Sequence, residues 1–245
     1  MACGEKPLEP AAERDGLFAG PVVVAGTQTC CDAAWEAAYR RFETPAEETA
    51  KFVKRLKRLG CRRWPRQSRV VELFCGRGNG LVALASLGFD HVEGVDLLLA
   101  LLSQYAGPAR CYVADCREPP FEGGSKDILV VQGGLHHLPR IPEDLEQVLR
   151  QARRVLAPGG LLAVVEPWLT PFLAGVHLAC RLKAARRLWP KLDALAAMIE
   201  HERATYDSWL SRPGPIVAAL DGHFVPLRMK TGWGKLQFLG KKRPG

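Results

Sequence analysis

The chain has 245 residues, 47% hydrophobic and 24% charged, with a formal net charge of +8. This is the make-up of an ordinary soluble globular protein with one large α/β domain or two small ones. No apolar run approaches the roughly 18 residues that span a bilayer, and the opening MACGEKPLEPAAERDG puts charges where a signal peptide needs its apolar core, so composition excludes a transmembrane helix and predicts a cytoplasmic protein.

Residues 1–28 are rich in Pro, Gly and Ala and read as a loose lead-in with one short apolar stretch, PVVVAG. A helix is predicted over 32–42, with Asp32 as its N-cap. The next begins at Thr44, where Thr44-Pro45-Ala46-Glu47 spells a capping box with proline in the first turn, and it runs to Gly60. Short apolar runs then alternate with helical segments. Strands are predicted at 69–75, 91–96, 109–115, 126–132 and 161–167. Helices fall at 80–88, 97–105 and 142–156, the last closed by Ala157-Pro158-Gly159-Gly160. Continuous apolar strands alternating with helices imply a parallel sheet covered on both faces. Beyond Pro167 the alternation stops. Two helices are expected at 172–189 and 191–210, divided by Pro190, and a short one near 213–221. Two strands then flank Thr231-Gly232-Trp233-Gly234, a turn suited to an antiparallel hairpin.

Charge is unevenly placed. Residues 69–168 carry nine basic and twelve acidic side chains, whereas residues 169–245 carry thirteen and five. The densest stretch, from Lys51 to Arg69, holds nine Lys or Arg and no acid. Such a field attracts an anionic substrate, a phospholipid surface or nucleic acid, although a solvated helix face has the same pattern. Eight cysteines, at 3, 30, 31, 61, 75, 111, 116 and 180, form no C-x-x-C pair. Reduced, mostly structural thiols are expected, and no metal site.

The strongest local signal is ELFCGRGNG (72–80), between the first core strand and its helix. Gly76, Gly78 and Gly80 let the backbone bend tightly and approach a ligand, and amides at the following helix N-terminus can hold an anionic group. Asp96 ends the second core strand, where a carboxylate can accept hydrogen bonds from a ribose diol. Asp115 ends the third, at the height of an adenine amine. Any one of these is also an ordinary loop residue. Three at successive strand ends describe an adenosyl pocket.

These residues resemble the class I S-adenosylmethionine-dependent methyltransferases, in particular the small-molecule and ubiquinone-biosynthesis-like group with the type 11 domain. The resemblance covers about residues 69–167, and the hairpin at 223–242 agrees with that family's last two strands. It implies a Rossmann-like, seven-stranded, mostly parallel sheet with helices on both faces and a C-terminal antiparallel hairpin. It also implies S-adenosylmethionine as cofactor. Glu72 and the glycines at 76, 78 and 80 would hold its methionine part, Asp96 and Leu97 the ribose, and Asp115 and Cys116 the adenine. Gln132 ends the fourth-strand motif, and VLAPGGLLAVVEP (155–167) is similar to the family's fifth strand. One departure is Phe74, where the family has its first glycine; packing beneath the cofactor is expected to change there.

Two rivals are weaker. An RNA-directed methyltransferase suits the basic flanks, but no Asn-Pro-Pro-Tyr or Asp-Pro-Pro-Tyr follows the fourth strand. An NAD-dependent oxidoreductase shares the first turn and the acid, yet Leu81 stands where G-x-G-x-x-G needs its last glycine. Methyl transfer needs an aligned nucleophile and, for oxygen or nitrogen, a base. His137 and His136, just after the fourth strand, are the candidates, although the resemblance alone also predicts a histidine there. The layout is then a cap of basic helices (1–68), a cofactor-binding core (69–167), a helical insertion serving as acceptor lid (168–211), and a last helix with the hairpin (212–245). Within the insertion FLAGVHLAC followed by RLKAARRLWP suits a greasy acceptor with an anionic head, or contact with a membrane surface. Glu166, Trp168 and His177 are expected to line that pocket. A small-molecule acceptor is favoured over nucleic acid.

Overall fold

A computed structural model describes residues 17–19 and 33–244. Thr44 accepts from the Glu47 amide while the Glu47 side chain accepts from the Thr44 amide, so the predicted capping box starts helix α2 (Pro45–Leu59). The helix stops at Gly60, whose φ of 93° only glycine adopts cheaply. Its apolar stripe of Phe52, Leu56 and Leu59 is buried, and α1 (Ala33–Phe42) precedes it. Asp32 and the PVVVAG stretch lie outside the described residues.

Among the described residues the sheet has eight strands. Seven are those the sequence predicts: β2 (Arg69–Leu73), β3 (His91–Asp96), β4 (Arg110–Val113), β5 (Lys126–Gln132), β6 (Leu156–Pro167), β7 (Phe224–Gly232) and β8 (Lys235–Lys242). The eighth, β1 (Leu17–Ala19), pairs parallel with β4 inside the segment expected to be a loose lead-in. Spatial order is β1-β4-β3-β2-β5-β6-β8-β7, with only the last two strands antiparallel to their neighbours. Order reverses between β2, which runs to β3, and β5, so the crevice at the carboxyl ends of β2 and β5 is the expected ligand site. The β7–β8 turn has Trp233 at φ 50° and Gly234 at φ 71°, the two left-handed residues that match hairpin twist. Edge strand β7 accommodates Pro226 because an edge tolerates a missing amide donor.

Alternation along β2 sets both cores. Val71 and Leu73 join the cluster under α5 (Glu143–Val155), while Val70 joins the cluster under α3 (Asn79–Ser86). Glu72 and Gln132 fall on the α3 face. Fully burying each such Val or Leu contributes about 1.5–3 kcal/mol, which fixes the register that puts the two polar groups together.

Three helical expectations are corrected. Only Leu99–Leu102 (α4) of 97–105 is helical, because the Tyr105 ring instead packs against Gly78 and Gly107 and its hydroxyl accepts from the Ala109 amide. The segment 172–189 is two helices, α6 (Pro171–Arg181) and α7 (Lys183–Leu188); no proline or glycine marks the break, and both pieces pack on α8. The segment 191–210 breaks at Glu202 into α8 (Pro190–His201) and α9 (Arg203–Leu210), because the Glu202 carboxylate turns inward to Trp35. Helix α8 also packs on α1, burying Trp35, Ala38 and Met198 together, and α10 (Pro213–His223) leads to the hairpin. No described helix is long and apolar enough to cross a membrane.

Candidate active site

Beyond β2 the chain turns sharply. Phe74 has a φ of 58°, a left-handed conformation that costs a residue with a Cβ about 1–2 kcal/mol. Its ring lies against Gly134, where a Cβ would come within 2.3 Å. The family's glycine is therefore replaced by a side chain that accepts glycine's backbone. Gly80 is required by close approach: a Cβ there would sit 1.9 Å from the Glu72 carboxylate. Gly78 and Gly80 do not line the cavity and instead pack against Tyr105 and Glu72, whereas Gly76 lines it and its amide donates to Asp96 Oδ2 at 2.8 Å.

Glu72, Gly76, Asp96, Leu97, Asp115, Cys116 and Gln132 all line one cavity of about 990 Å³. Gln132 Nε2 donates to Glu72 Oε1 at 3.5 Å, but Glu72 Oε2 and Gln132 Oε1 are buried acceptors with no hydrogen-bond partner among the described residues. Burial pushes the Glu72 carboxyl up to about 8. Burial also raises Asp96, against the pull of the Leu98 and Gly76 amides that donate to it. Asp115 is held bidentate by Arg117, which also reaches Asp144 at 3.3 Å. Arg117 thus competes for the carboxylate expected to meet an adenine amine. The Cys116 thiol is buried against the Val95 carbonyl, and burial pushes its pKa up, so it is not a nucleophile.

At the other side of the β5 crevice stand the histidines, on the short turn Leu135–His137. His136 Nδ1 meets Glu166 Oε2 at 2.7 Å, and Glu166 Oε1 accepts from the Gly134 and Leu135 amides at 2.8 Å each. Those three bonds hold the fully buried Glu166 ionised and below its usual range, despite desolvation. His137 Nδ1 lies 3.5 Å from Glu202 Oε2, which accepts from Trp35 Nε1 at 3.0 Å. The sequence gives no reason to expect a metal, yet His136, His137 and Glu202 bring three donor atoms within 4.8 Å of one another, close enough to share a divalent cation.

The outer cavity is roofed by α6, an apolar helix with no buried residue, and rimmed by Phe172 and Trp233 with ring centroids 5.3 Å apart. Glu166, Trp168 and His177 are not among its lining residues. Glu166 stands behind His136, Trp168 packs on the main core, and His177 bonds the lining hydroxyl of Tyr206 at 3.1 Å. Sequence reasoning missed Glu202, Lys235 and Arg55, which do line it. For Arg55 a signal exists, since it lies three residues after Phe52 and four before Leu59, on the buried stripe of α2.

A family model described as a methyltransferase domain matches residues 71–164. That match lies on the strands and turns that build this cavity. The chain carries a class I S-adenosylmethionine-dependent methyltransferase domain. Over 120 residues it is 30% identical to the 27-O-demethylrifamycin SV methyltransferase of Amycolatopsis mediterranei, covering 44% of this chain and 42% of that one, so the match spans less than half of the relative. The methyltransferase domain also shares its fold with a solved protein from Pyrococcus horikoshii, with a TM-score of 0.62 at 18% identity over 84% of this chain and 99% of that one. A geranyl diphosphate C-methyltransferase from Streptomyces coelicolor, solved with Mg2+, geranyl diphosphate and S-adenosylhomocysteine, has a TM-score of 0.57 at 14% identity over 85% and 83%. The residues present suit the cofactor: Glu72 Oε2 and Gln132 Oε1, buried acceptors without a partner among the described residues, belong to side chains that line the cavity and can accept from an ammonium.

Proposed function

We propose that the protein transfers a methyl group from S-adenosylmethionine to an oxygen or nitrogen nucleophile of a small, anionic or lipophilic acceptor. The observation that carries this reading is one shared cavity, lined by the strand-end carboxylates, by apolar α6 and by His137 beside Glu202. The bound cofactor supplies a methyl group already activated by its sulfonium charge. Glu72 and Gln132 accept from the ammonium of its methionine part, with the backbone of Gly76, Gly78 and Gly80 shaping the turn around it. Asp96 uses the lone pairs left free by two backbone amides to accept from the ribose hydroxyls, beside Leu97. Asp115 and Cys116 border the adenine. His137 takes the proton from the attacking nucleophile, oriented by Glu202. His136, whose Nδ1–H donates to Glu166, braces it. Helices α1, α2 and α6 to α9 serve as cap and lid.

The basic run after Lys51 supports a small acceptor over nucleic acid. Lys51 and Arg55 line the cavity, the Arg66 guanidinium lies 4.7 Å from the Phe89 ring, and Arg69 pairs with Asp127 at 2.7 Å. Lys51, Arg55, Arg66 and Arg69 therefore lie at the cavity or against neighbouring side chains, while Lys54, Lys57, Arg58, Arg62 and Arg63 remain exposed.

Titration calorimetry with S-adenosylmethionine and S-adenosylhomocysteine tests the reading. Micromolar binding is expected, weakened at least about tenfold in Asp96→Ala, the loss expected of charge-assisted hydrogen bonds. Folded protein that binds neither ligand, but binds NAD, would replace the methyltransferase with the dehydrogenase.

A further inference from the structure

The outer cavity carries two cations that form no ion pair among the described residues. Arg55, on α2, and Lys235, at the start of β8, both line it, and neither has a carboxylate within ion-pair distance among the described residues. The Arg55 guanidinium lies over the ring of Phe52, 5.4 Å from its centroid, as a cation–π pair. The carboxylates nearest these cations are committed elsewhere. Glu43 pairs with Lys51, and Glu48 accepts from the Tyr39 hydroxyl and from Asn79 Nδ2 at 2.7 Å. Glu166 is filled by His136 and two amides, and Glu202 by Trp35 with His137 alongside. A half-buried cation without a partner is costly, and two on one wall repel each other. Burial and the neighbouring Arg55 and Lys51 bring Lys235 down to about 7.

Beyond those paired charges the wall is built of apolar side chains. The Leu173 side chain closes on Gly234 directly before Lys235, where a Cβ would approach within 3.3 Å, and Val176, Leu195 and Ile199 line the same space. Two cations set in an apolar wall recognise an anionic head on an apolar body; a neutral lipophile would leave both charges buried and unmet.

We propose that Arg55 and Lys235 form the anion subsite of the acceptor, which is an amphiphile bearing a carboxylate or phosphate head. This rests on the methyltransferase reading above for the identity of the cavity, but not for the charge within it. Neither residue belongs to the strand-end set expected to hold the cofactor, so the subsite bears on the acceptor.

The test uses full-length protein saturated with S-adenosylhomocysteine and titrated with octyl phosphate, octanoate and the neutral 1-octanol. Both anions are expected to bind at least about tenfold more tightly than the alcohol, the difference one charged hydrogen bond makes. The double variant Arg55→Met, Lys235→Met should lose that preference while its affinity for S-adenosylhomocysteine stays within about twofold, which also shows that it folds. Equal binding of the alcohol, no saturable binding of either anion, or undiminished anion binding in the double variant would each overturn the subsite. Vesicles of anionic phospholipid form a further arm: preference for vesicles over free octyl phosphate, lost in the double variant, assigns the same head-group chemistry to a lipid. Failure to bind S-adenosylhomocysteine at the outset would instead strike the methyltransferase reading.

Discussion

The two ends of the cavity hide opposite charges, and burial treats them in opposite ways. At the inner end the Glu72 carboxyl, beneath Gly80, is pushed up to about 8. At the outer end the Lys235 ammonium, beside Arg55, is pushed down to about 7. Desolvation is the largest cause in both, because a low-dielectric wall disfavours whichever form is charged. Each end is thus poised near neutrality and keeps its charge only at a cost, until a ligand of opposite sign arrives. A cationic cofactor group suits one end and an anionic acceptor head the other. His137 and Glu202, 3.5 Å apart, line the same cavity.

The sharpest way to break this division is at the junction. His137→Ala should lower turnover about a hundredfold or more, within the usual range for a general base, with S-adenosylhomocysteine affinity unchanged within about twofold. The comparison would fail if cofactor affinity fell in step with turnover, since His137 would then belong to the inner end. A chelator should leave the wild-type rate unchanged. A rate lost to chelation and restored by a divalent cation would assign His136, His137 and Glu202 to a metal instead.

The inner end was largely readable in the sequence, and the outer end was not. Glu72, Asp96, Asp115 and Gln132 each lie within two residues of a strand's carboxyl end, and strands announce themselves through apolar runs with glycine or loop residues beyond. Four consecutive core strands therefore place those side chains at one crevice before any coordinates exist. The outer end draws on α1, α2, α6, α8, α9 and β8, and its geometry depends on how helices pack. Glu202 sits between Met198 and Tyr206 with nothing local to mark it as a helix break. Lys235 is one more lysine in a basic tail until the hairpin pairs it with Pro167. Glu166 looked accessible at a strand end, but the Leu135–His137 turn folds over it. Phe74 shows the limit of motif reading: the left-handed backbone is kept without the glycine, and only the structure shows the ring against Gly134.

The outer end can be sharpened through stability. Lys235 has an ordinary pKa of 10.5 when unfolded and about 7 when folded. Between those values the unfolded chain binds more protons, so stability rises with pH across that window. The penalty is complete below pH 7 and gone above 10.5. Lys51 and Arg55 from α2 maintain it, against the weaker attraction of Glu166 and Glu202. Lys235→Met should therefore stabilise the free protein by about 2 kcal/mol at pH 6, a figure reduced for a half-buried group. The gain should vanish toward pH 10.5 in denaturant titrations. A destabilised variant at pH 6 would mean that Lys235 is already neutralised in the free protein, and the contrast between the two ends would collapse.

The inner end gives the smallest effect and the opposite sign. With Glu72 near 8, the free protein holds this carboxyl protonated at pH 7, whereas an ammonium beside it requires the carboxylate. Binding S-adenosylhomocysteine should then release close to one proton, and affinity should rise nearly tenfold between pH 6 and pH 7. Calorimetry in buffers of different ionisation enthalpy reads the proton directly. In Glu72→Gln the release should disappear and the affinity become flat over that interval, with the neutral side chain still filling the space under Gly80. Proton release that persists in Glu72→Gln would move the titrating group elsewhere, Asp96 first, because it too is buried at this end and burial raises its pKa. The inner end would then keep its negative charge through the ribose site rather than through the glycine turn.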